Sequence, residues 1–405
     1  MPVLVAPDGS VPALPAFYVT SICRPKDSSS TMKIKLTSIK HFYQWADLCG
    51  IDLDERFSRR EVLTPIEIDS LIYACSLQFK CMLSNFNIAS GASTRRGVVS
   101  LNPQQEMKSV NAATHYSRLR QIHAYTDWFF LESIKNMDPR SSAYKEALSN
   151  KHNMLSWLKE RTPKATVVGG NSLVPPKGFD LSVQQRIMEV IESDHPENPW
   201  KNDFVKIRNQ LYITICLALG IRLGETLKIK TEDVVLSGKT PHIAIRRRVD
   251  DPKDKRKRAP KVKTKERPLA IGRDWYPLLR LYIDKYWRRM RNARKHGYLF
   301  VSRYGNEFSY EAAMKIFYQL RQKVPGMPDN LTQHLIRHAW NERFSEAGEA
   351  KGTPHDVMME SRRFLMGWSV NSRMPDLYDR RFTIRKADEI SLEMQDNFFK
   401  KDSKE

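Results

Sequence analysis

A segment rich in proline and glycine divides this sequence into two parts. Residues 161–181 read RTPKATVVGGNSLVPPKGFDL, with three prolines, three glycines and no hydrophobic period, which is the composition of a linker. The chain has 405 residues, more than one ordinary domain needs. We therefore predict one folded domain on each side of this linker.

The part before the linker has the hydrophobic period of α-helices. From Met32, apolar residues recur at i, i+4, i+7, i+11 and i+14, with Ser30 or Thr31 as the cap and Gly50 as the stop. Residues 1–29 lack such a period, and we predict a flexible N-terminal arm there. An all-helical domain is predicted over 30–160. Its further helices are predicted at 64–82, 111–132 and 141–160.

The part after the linker combines helices with a short β-rich stretch. Ser182 and Gln185 form a capping-box pattern that begins a domain over 182–385. The residues at 242–272 favour strands, so we predict a mainly α fold with a small antiparallel β-sheet. A tail or helix over 386–405 carries Ile390, Met394 and Phe398. Further helices of this part are predicted at 205–219, 274–292 and 309–323.

The charge of the chain points to a polyanionic partner. Lysine and arginine number 67 against 46 acidic residues, a net charge of +21, which suits nucleic acid or an anionic membrane surface. No apolar run reaches the ~20 residues of a membrane-spanning helix, and the N-terminus does not read as a signal peptide. We therefore expect a cytoplasmic protein without membrane partners.

The five cysteines indicate neither disulfides nor a zinc site. Their number is odd, their spacing is irregular, and no CxxC pattern or interleaved histidine pattern accompanies them. We predict no metal site and no cofactor.

An arginine and a glutamate stand three residues apart where one helix ends and the next begins. The sequence GIRLGETL over 220–227 places Arg222 and Glu225 after Gly220. An arginine at a helix start can hold a phosphate with two hydrogen bonds while the glutamate orients it. A surface Arg–Glu pair is the alternative interpretation.

Two histidines and an arginine share one face of a second helix. His334, Arg337 and His338 lie at i, i+3 and i+4 after a Thr332 cap, with Gly348 as the predicted stop. A solvated basic face would explain this equally well. A zinc pair is disfavoured, because the glutamate of a HExxH motif and a third ligand are lacking.

A third group consists of the turn FLMGWS at 364–369, followed by Tyr378 among charged residues. Spacing alone does not assign a role to Tyr378 or Trp368, because both residue types are commonly parts of a core.

In this order the segments resemble the tyrosine recombinase (phage integrase) family over about 180–385. That family carries an arginine in a G-L-R-x-x-E turn, a lysine on a β-hairpin, an H-x-x-R-H helix, an L-x-G-H/W-S turn and a nucleophilic tyrosine. The resemblance is weaker at 31–50 and 111–132, which look like the family's helical core-binding domain. It implies these catalytic residues: Arg222, His334, Arg337, Trp368 and Tyr378. Glu225 and His338 support them.

The hairpin lysine is assigned by the same resemblance, which favours Lys263 and leaves Lys261 and Lys265 as alternatives. The run 246–267 holds twelve basic and four acidic residues, a net charge of +8. We predict that it contacts phosphates, with a solvated loop as the alternative. The sequence departs from the family in the long separation of 41 positions from Arg337 to Tyr378, where 349–362 resembles an insertion. Trp368 also stands where many relatives have histidine.

The resemblance further implies two domains that clamp duplex DNA, and four protomers acting on two paired recombination sites. The tail would then dock on the adjacent protomer, with accessory or partner recombinase proteins as further partners. The implied activity is metal- and ATP-independent strand exchange for a mobile element. Alternatives are a topoisomerase IB-like enzyme, a hairpin resolvase and a non-catalytic DNA-binding protein. The candidate DNA contacts are Arg118, Arg120, Lys261, Lys265 and Arg267.

Overall fold

The structure is a computed structural model that divides into two units, Met1–Ser172 and Leu173–Glu405. Within the last helix, side chains are described except at 376–382, 385 and 399–401. The described residues are 1–6, 8–83, 108–163, 178–248, 251–256, 259–260, 262, 264–372 and 374–401.

The first unit is helical throughout its described part. Apolar side chains of its helices meet in a core rich in aromatic rings, in which Phe42, Trp45 and Phe57 are fully buried. The helices are α1 (Ala13–Phe17), α2 (Ser29–Leu48), α3 (Leu53–Ser58), α4 (Pro65–Ser76), α5 (Ala112–Ile134) and α6 (Ser142–Arg161).

Side-chain caps fix where these helices begin. The hydroxyl of Ser28 accepts a hydrogen bond from the Thr31 amide at the start of α2, two residues before the earlier of the two predicted caps. Thr64 and Glu67 form a reciprocal capping box at the start of α4. Such caps satisfy amide groups that have no partner within the helix.

The predicted N-terminal arm is folded over 13–23, which corrects the sequence prediction. Helix α1 continues into a π-helical turn, Tyr18–Cys23, and Tyr18, Val19 and Cys23 are buried. The Tyr18 ring packs edge-on against Tyr125, with centroids 5.2 Å apart. The change from α to π winding removes the regular 3.6-residue period, so the pattern did not reveal this segment.

The second unit combines helices with one small sheet, which confirms the predicted fold class. Strands β1 (Val234–Val235), β2 (His242–Ile245) and β3 (Arg267–Ala270) pair antiparallel in that order. The helices are α7 (Leu181–Val190), α8 (Asp203–Leu219), α9 (Leu223–Lys228), α10 (Tyr276–Leu281), α11 (Arg291–His296), α12 (Tyr310–Lys323), α13 (Gln333–Ala350), α14 (His355–Met366) and α15 (Met374–Lys401).

Helix α8 forms the centre of this unit. It is buried on nearly every side, and it packs against α13. A helix that is apolar all round is typical of the interior of a domain. The two helices thereby position the turn after Gly220 next to the face of α13 that carries Arg337.

Two predicted helix signals are wrong. Helix α7 begins at Leu181 with Asp180 at the N-cap position, not at the expected Ser182–Gln185 capping box. Helix α13 continues through Gly348 to Ala350. A Cβ on Gly348 would lie 2.6 Å from the Met358 sulfur, so this glycine permits close packing against α14 and does not stop the helix.

Helix α15 contains Tyr378 and runs on to Lys401 without a break at 385/386, where we predicted the tail to begin. Its backbone contacts α13 and α14. Ile390, Met394 and Phe398 are exposed. Among the helices that the structure describes, none is long and apolar enough to cross a membrane.

Candidate active site

Arg222 lies at the start of α9, where the chain turns sharply after α8. Gly220 ends α8 with φ +58°, and a Cβ there would meet the Trp340 ring at 2.7 Å, so the turn requires glycine. The Arg222 amide donates to Glu225 Oε2 at 2.7 Å, and its guanidinium donates to the Met366 carbonyl at 3.3 Å. The Arg222 side chain is 37% exposed, which leaves the guanidinium accessible to a ligand.

Glu225 is held by a buried arginine that sequence reasoning placed elsewhere. Arg267 was a candidate DNA contact, but its side chain is 1% exposed and its Nη1 lies 3.2 Å from Glu225 Oε1. Thr264 donates a hydrogen bond to the same carboxylate oxygen, and Arg267 Nε donates to the Leu365 carbonyl at 2.7 Å. This prediction is therefore corrected: Arg267 connects β3 to α9 and α14.

The alternation along β3 explains the error and was a signal that could have found the residue. Arg267 and Leu269 alternate with exposed neighbours and both point inward, as side chains on one face of a strand do.

The surrounding charges keep Glu225 ionised despite its burial. Burial alone would raise the pKa of Glu225, but the charges of Arg267 and Arg337 outweigh it and hold the pKa below its ordinary value. The stability that this ionised pair contributes is thus present at neutral pH. It is lost as the pH falls through the lowered pKa.

We expect Arg267→Ala to lower the free energy of unfolding of the C-terminal unit by about 3–5 kcal/mol, because it leaves a buried carboxylate without its partner. Urea unfolding followed by tryptophan fluorescence measures this change. The control is Arg288→Ala, which removes an exposed pair with Asp284 and should cost less than about 1 kcal/mol. Equal effects of the two changes would contradict the structural role of Arg267.

Helix α13 presents Arg337 and the two histidines. The Thr332 hydroxyl caps the helix. Arg337 is buried, and it donates to the carbonyls of Gly220 at 2.7 Å and Met366 at 3.4 Å. The Nε2 atoms of His334 and His338 are 3.0 Å apart, within hydrogen-bonding distance.

The pKa of His334 is lowered by burial and by two nearby arginines. Burial lowers the pKa of His334 below its ordinary value, and the positive charges of Arg337 and Arg222 lower it further. The imidazole is therefore neutral at pH 7 and can accept a proton.

The turn after α14 lies between Arg337 and the β2–β3 connection, which comprises residues 246–266. Gly367 ends α14 with φ +64°, and a Cβ there would lie 2.5 Å from Arg267 Nη1. Its carbonyl accepts the Lys265 amide at 3.0 Å. Trp368, the next residue, is buried, with the Arg337 guanidinium 5.6 Å from its ring centroid.

Arg222 and Arg337 thus converge on one point, since both guanidiniums donate to the same Met366 carbonyl oxygen. They come from helices α9 and α13, 115 positions apart along the chain (337 − 222). Two permanently charged groups this close form a site suited to a phosphate.

Some predicted residues lie outside the described part. The side chain of Tyr378 is among them, although its backbone lies in α15. Lys261 and Lys263 also fall outside the described residues. Lys265 is exposed and lines an open cleft with Thr264 and Ser369.

In the N-terminal unit, Arg118 is half-buried and binds backbone carbonyls, whereas Arg120 is exposed. Arg118 Nη1 donates to the carbonyls of Cys75 at 3.0 Å and Leu77 at 2.7 Å, where α4 ends and carbonyls have no partner within the helix. The predicted DNA contact is corrected for Arg118, because these bonds already engage its guanidinium.

The basic run 246–267 is partly neutralised by ion pairs. Arg248 bonds to Asp233 and Glu232, and Arg256 bonds to Asp254. Arg248 thereby attaches the run to the rest of the unit, and these pairs neutralise part of the charge for which we predicted phosphate contacts. Among the residues that the structure describes, no three or more His, Cys, Asp or Glu side chains are grouped so as to hold a metal ion.

Part of the second unit matches a known family. Residues 180–354 match the model of the phage integrase family. The matched segment includes Arg222 and the helix residues 334–338, and it ends before Trp368 and Tyr378.

One curated relative, from Caldanaerobacter subterraneus subsp. tengcongensis, has a name that places it among the tyrosine recombinases. It is 24% identical over 178 residues, which are 43% of this chain and 53% of the relative. The chain thus spans about half the length of this relative.

Three solved structures are similar to this chain at low identity. A lambda integrase dimer bound to a COC′ core site has a TM-score of 0.46 at 13% identity, covering 90% of this chain and 76% of that one. XerH recombinase bound to a palindromic difH substrate has 0.42 at 14%, covering 81% and 84%. The Tn1549 transposon integrase with transposon right end DNA has 0.38 at 12%, covering 78% and 94%.

Proposed function

We propose that this chain is a site-specific DNA recombinase that cleaves and rejoins strands through a 3′-phosphotyrosine on Tyr378, to integrate, excise or transpose a mobile element. The observation that carries the proposal is the convergence of Arg222 and Arg337 on one carbonyl oxygen. A phosphodiester gathers negative charge on its non-bridging oxygens during attack, and two guanidiniums stabilise that charge.

The other residues have roles that follow from their chemistry. His334 and Trp368 add hydrogen-bond donors or packing at the same phosphate. Glu225 orients Arg222 and His338 supports His334, since the carboxylate binds the Arg222 amide and the two rings are in hydrogen-bonding distance.

The cleavage step moves one proton between two groups of the enzyme and a second proton from the enzyme to the DNA. The Tyr378 phenol gives its proton to a base, for which His334 is the candidate, and its oxygen attacks phosphorus. The P–O5′ bond breaks, and its electron pair leaves on O5′. Lys263, with Lys261 and Lys265 as alternatives, donates a proton to form the 5′-hydroxyl. A 5′-hydroxyl of another strand reverses the step, so we expect no need for ATP or metal.

The partners follow from the charge and the family. A net charge of +21 favours duplex DNA, with Arg120 and Lys265 as exposed candidate contacts. We propose that the two domains clamp the duplex and that four protomers pair two sites in the cytoplasm. The exposed apolar residues of α15 would dock on the adjacent protomer.

The test uses a DNA duplex that is selected for binding from a randomised pool. A set of these duplexes carries the nick at successive nucleotide positions, so that the short strand end released by cleavage diffuses away. The protein is incubated without ATP or divalent metal and then digested for mass spectrometry. A DNA adduct on Tyr378 supports the proposal. No adduct at any nick on a bound duplex refutes it and favours the non-catalytic DNA-binding alternative. Relaxation of supercoiled plasmid without pairing of two sites would favour the topoisomerase-like alternative.

The pH dependence of cleavage tests the role of His334. We expect the rate to fall as the pH drops through the pKa of His334, because a protonated ring cannot accept the phenol proton. Removing Arg222 takes away a positive charge that lowers this pKa, so the acid limb should move to higher pH in Arg222→Ala. Single-turnover cleavage rates between pH 4 and pH 8 measure this fall of the rate at acid pH. The fall should be absent in His334→Gln. An unchanged fall in that variant would mean that a group other than His334 causes it.

A further inference from the structure

Two aspartates of the β2–β3 connection pair with lysines at and just after the end of α9. Asp254 Oδ2 lies 2.8 Å from Lys228 Nζ, with side chains 2% and 3% exposed. Asp251 Oδ2 lies 2.8 Å from Lys230 Nζ. Lys228 ends α9, and Lys230 follows it by two residues. Two acidic residues of a strongly basic run are therefore used to attach it to the unit.

Neighbouring groups complete this cluster. Arg256 binds both oxygens of Asp254 at 2.8 Å, and its Nη1 donates to the carbonyls of Leu227 and Phe308. The Tyr298 hydroxyl donates to Asp251 at 2.8 Å, and the Arg256 guanidinium stacks over the Tyr298 ring. Charges removed from water require such a complete set of partners.

The position of the cluster along the chain suggests its use. The β2–β3 connection is attached to α9 at two places: Asp254 binds Lys228 at the end of the helix, and Thr264 binds Glu225 near its start. The candidate general acids Lys261 and Lys263 lie between these two attachments in the sequence. A chain segment held at both ends samples far fewer positions than a free loop of the same length.

Buried ion pairs contribute little net stability compared with apolar residues of similar volume, and their best-supported benefit is a defined arrangement. A proton donor must lie within hydrogen-bonding distance of the leaving oxygen. Attachment of the lysine segment to the arginine helix meets that need, because it couples the general acid to the residues that hold the phosphate.

We propose that Asp254 and Asp251 are positioning residues, which clip the β2–β3 connection to the end of α9 and so hold the general-acid lysine at the leaving 5′-oxygen. This inference rests on the proposed recombinase function. The run 246–267 would then have a second role besides phosphate contact, which is the positioning of the lysine by Asp251 and Asp254.

The test compares cleavage of two substrates by Asp254→Asn, Asp251→Asn and the control Glu232→Gln. Glu232 is 69% exposed and pairs with Arg248 of the same connection. One substrate is an ordinary nicked duplex, and the other has sulfur at the bridging 5′ position, which leaves without a proton. Single-turnover rates of adduct formation are measured on both.

The two aspartate variants are expected to cleave the oxygen substrate about 10- to 100-fold more slowly, as a displaced catalytic group would. On the sulfur substrate they should match the wild type within about threefold, since a general acid is not needed there. Glu232→Gln should match the wild type on both. Equal losses on the two substrates, or no loss on either, would overturn the proposal.

Hydrogen exchange of the full chain without DNA tests, independently of activity, whether the two aspartates attach the β2–β3 connection to the end of α9. Peptides covering 255–265 should exchange faster in Asp254→Asn than in the wild type and in Glu232→Gln, while peptides of α8 remain protected. Asp251→Asn, whose carboxylate pairs with Lys230 and accepts a hydrogen bond from Tyr298, tests the attachment if Asp254→Asn does not fold. Unchanged exchange of the 255–265 peptides in a folded variant would refute this attachment. Failure of the wild type to form any adduct would refute the recombinase function alone.

Discussion

Replacing Tyr378 by phenylalanine is expected to abolish covalent complex formation, with a loss of about 10⁶-fold or more, as when the nucleophile is removed from other enzymes that work through covalent intermediates. Only the phenolic oxygen is lost, and a neutral phenol contributes no charge to phosphate binding at pH 7. We therefore expect the DNA affinity to remain within about twofold of the wild type, because that affinity comes from lysine and arginine.

Two measurements check this result: trapping of the adduct on denaturing gels, and binding to the uncut duplex at fixed salt. Tyr304→Phe is the matched control, because Tyr304 is 64% exposed on the same unit and has no assigned role. It should form the adduct at the wild-type rate. A residual adduct in Tyr378→Phe would mean that another residue is the nucleophile.

Arg222→Ala is expected to slow cleavage by about 10²- to 10³-fold, the loss typical of removing one donor to a developing oxyanion. The fold should be retained, because the cap at the start of α9 uses the backbone amide of Arg222, which the substitution keeps. The change in the free energy of unfolding should be below about 1 kcal/mol, as for other partly exposed charged groups.

The control for this effect is Arg186→Ala, since Arg186 on α7 has nearly the same exposure and pairs with Glu189 and Glu197. Single-turnover rates on the nicked duplex and urea unfolding should both match the wild type in this control. A cleavage rate in Arg222→Ala within tenfold of the wild type would remove Arg222 from the proposed phosphate site.

Much of the helical framework could be predicted from local signals. The period from Met32 and the cap at Thr332 depend on residues within one or two turns, and such signals are present in the sequence itself. The order of the arginine turn, the H-x-x-R-H helix and the glycine–tryptophan turn pointed to the family. Residues 180–354, which include the first two of these motifs, match the model of that family.

Local patterns were insufficient where a residue's role depends on a distant partner. Arg267 was assigned to DNA by its charge, yet its partner Glu225 lies 42 positions away. Arg118 was misassigned for the same reason, since its acceptors Cys75 and Leu77 are 43 and 41 positions away.

The sequence alone thus established the class of fold, the strongly basic character and the residue types at the candidate site, because each depends on composition or on neighbours along the chain. The folded structure established which charges face inward, that residues 13–23 are packed, and that Arg222 and Arg337 meet at Met366. The physical reason is that burial and ion pairing are set by contacts between remote segments. Met366 is 144 positions from Arg222, far beyond the range of any helix or strand period.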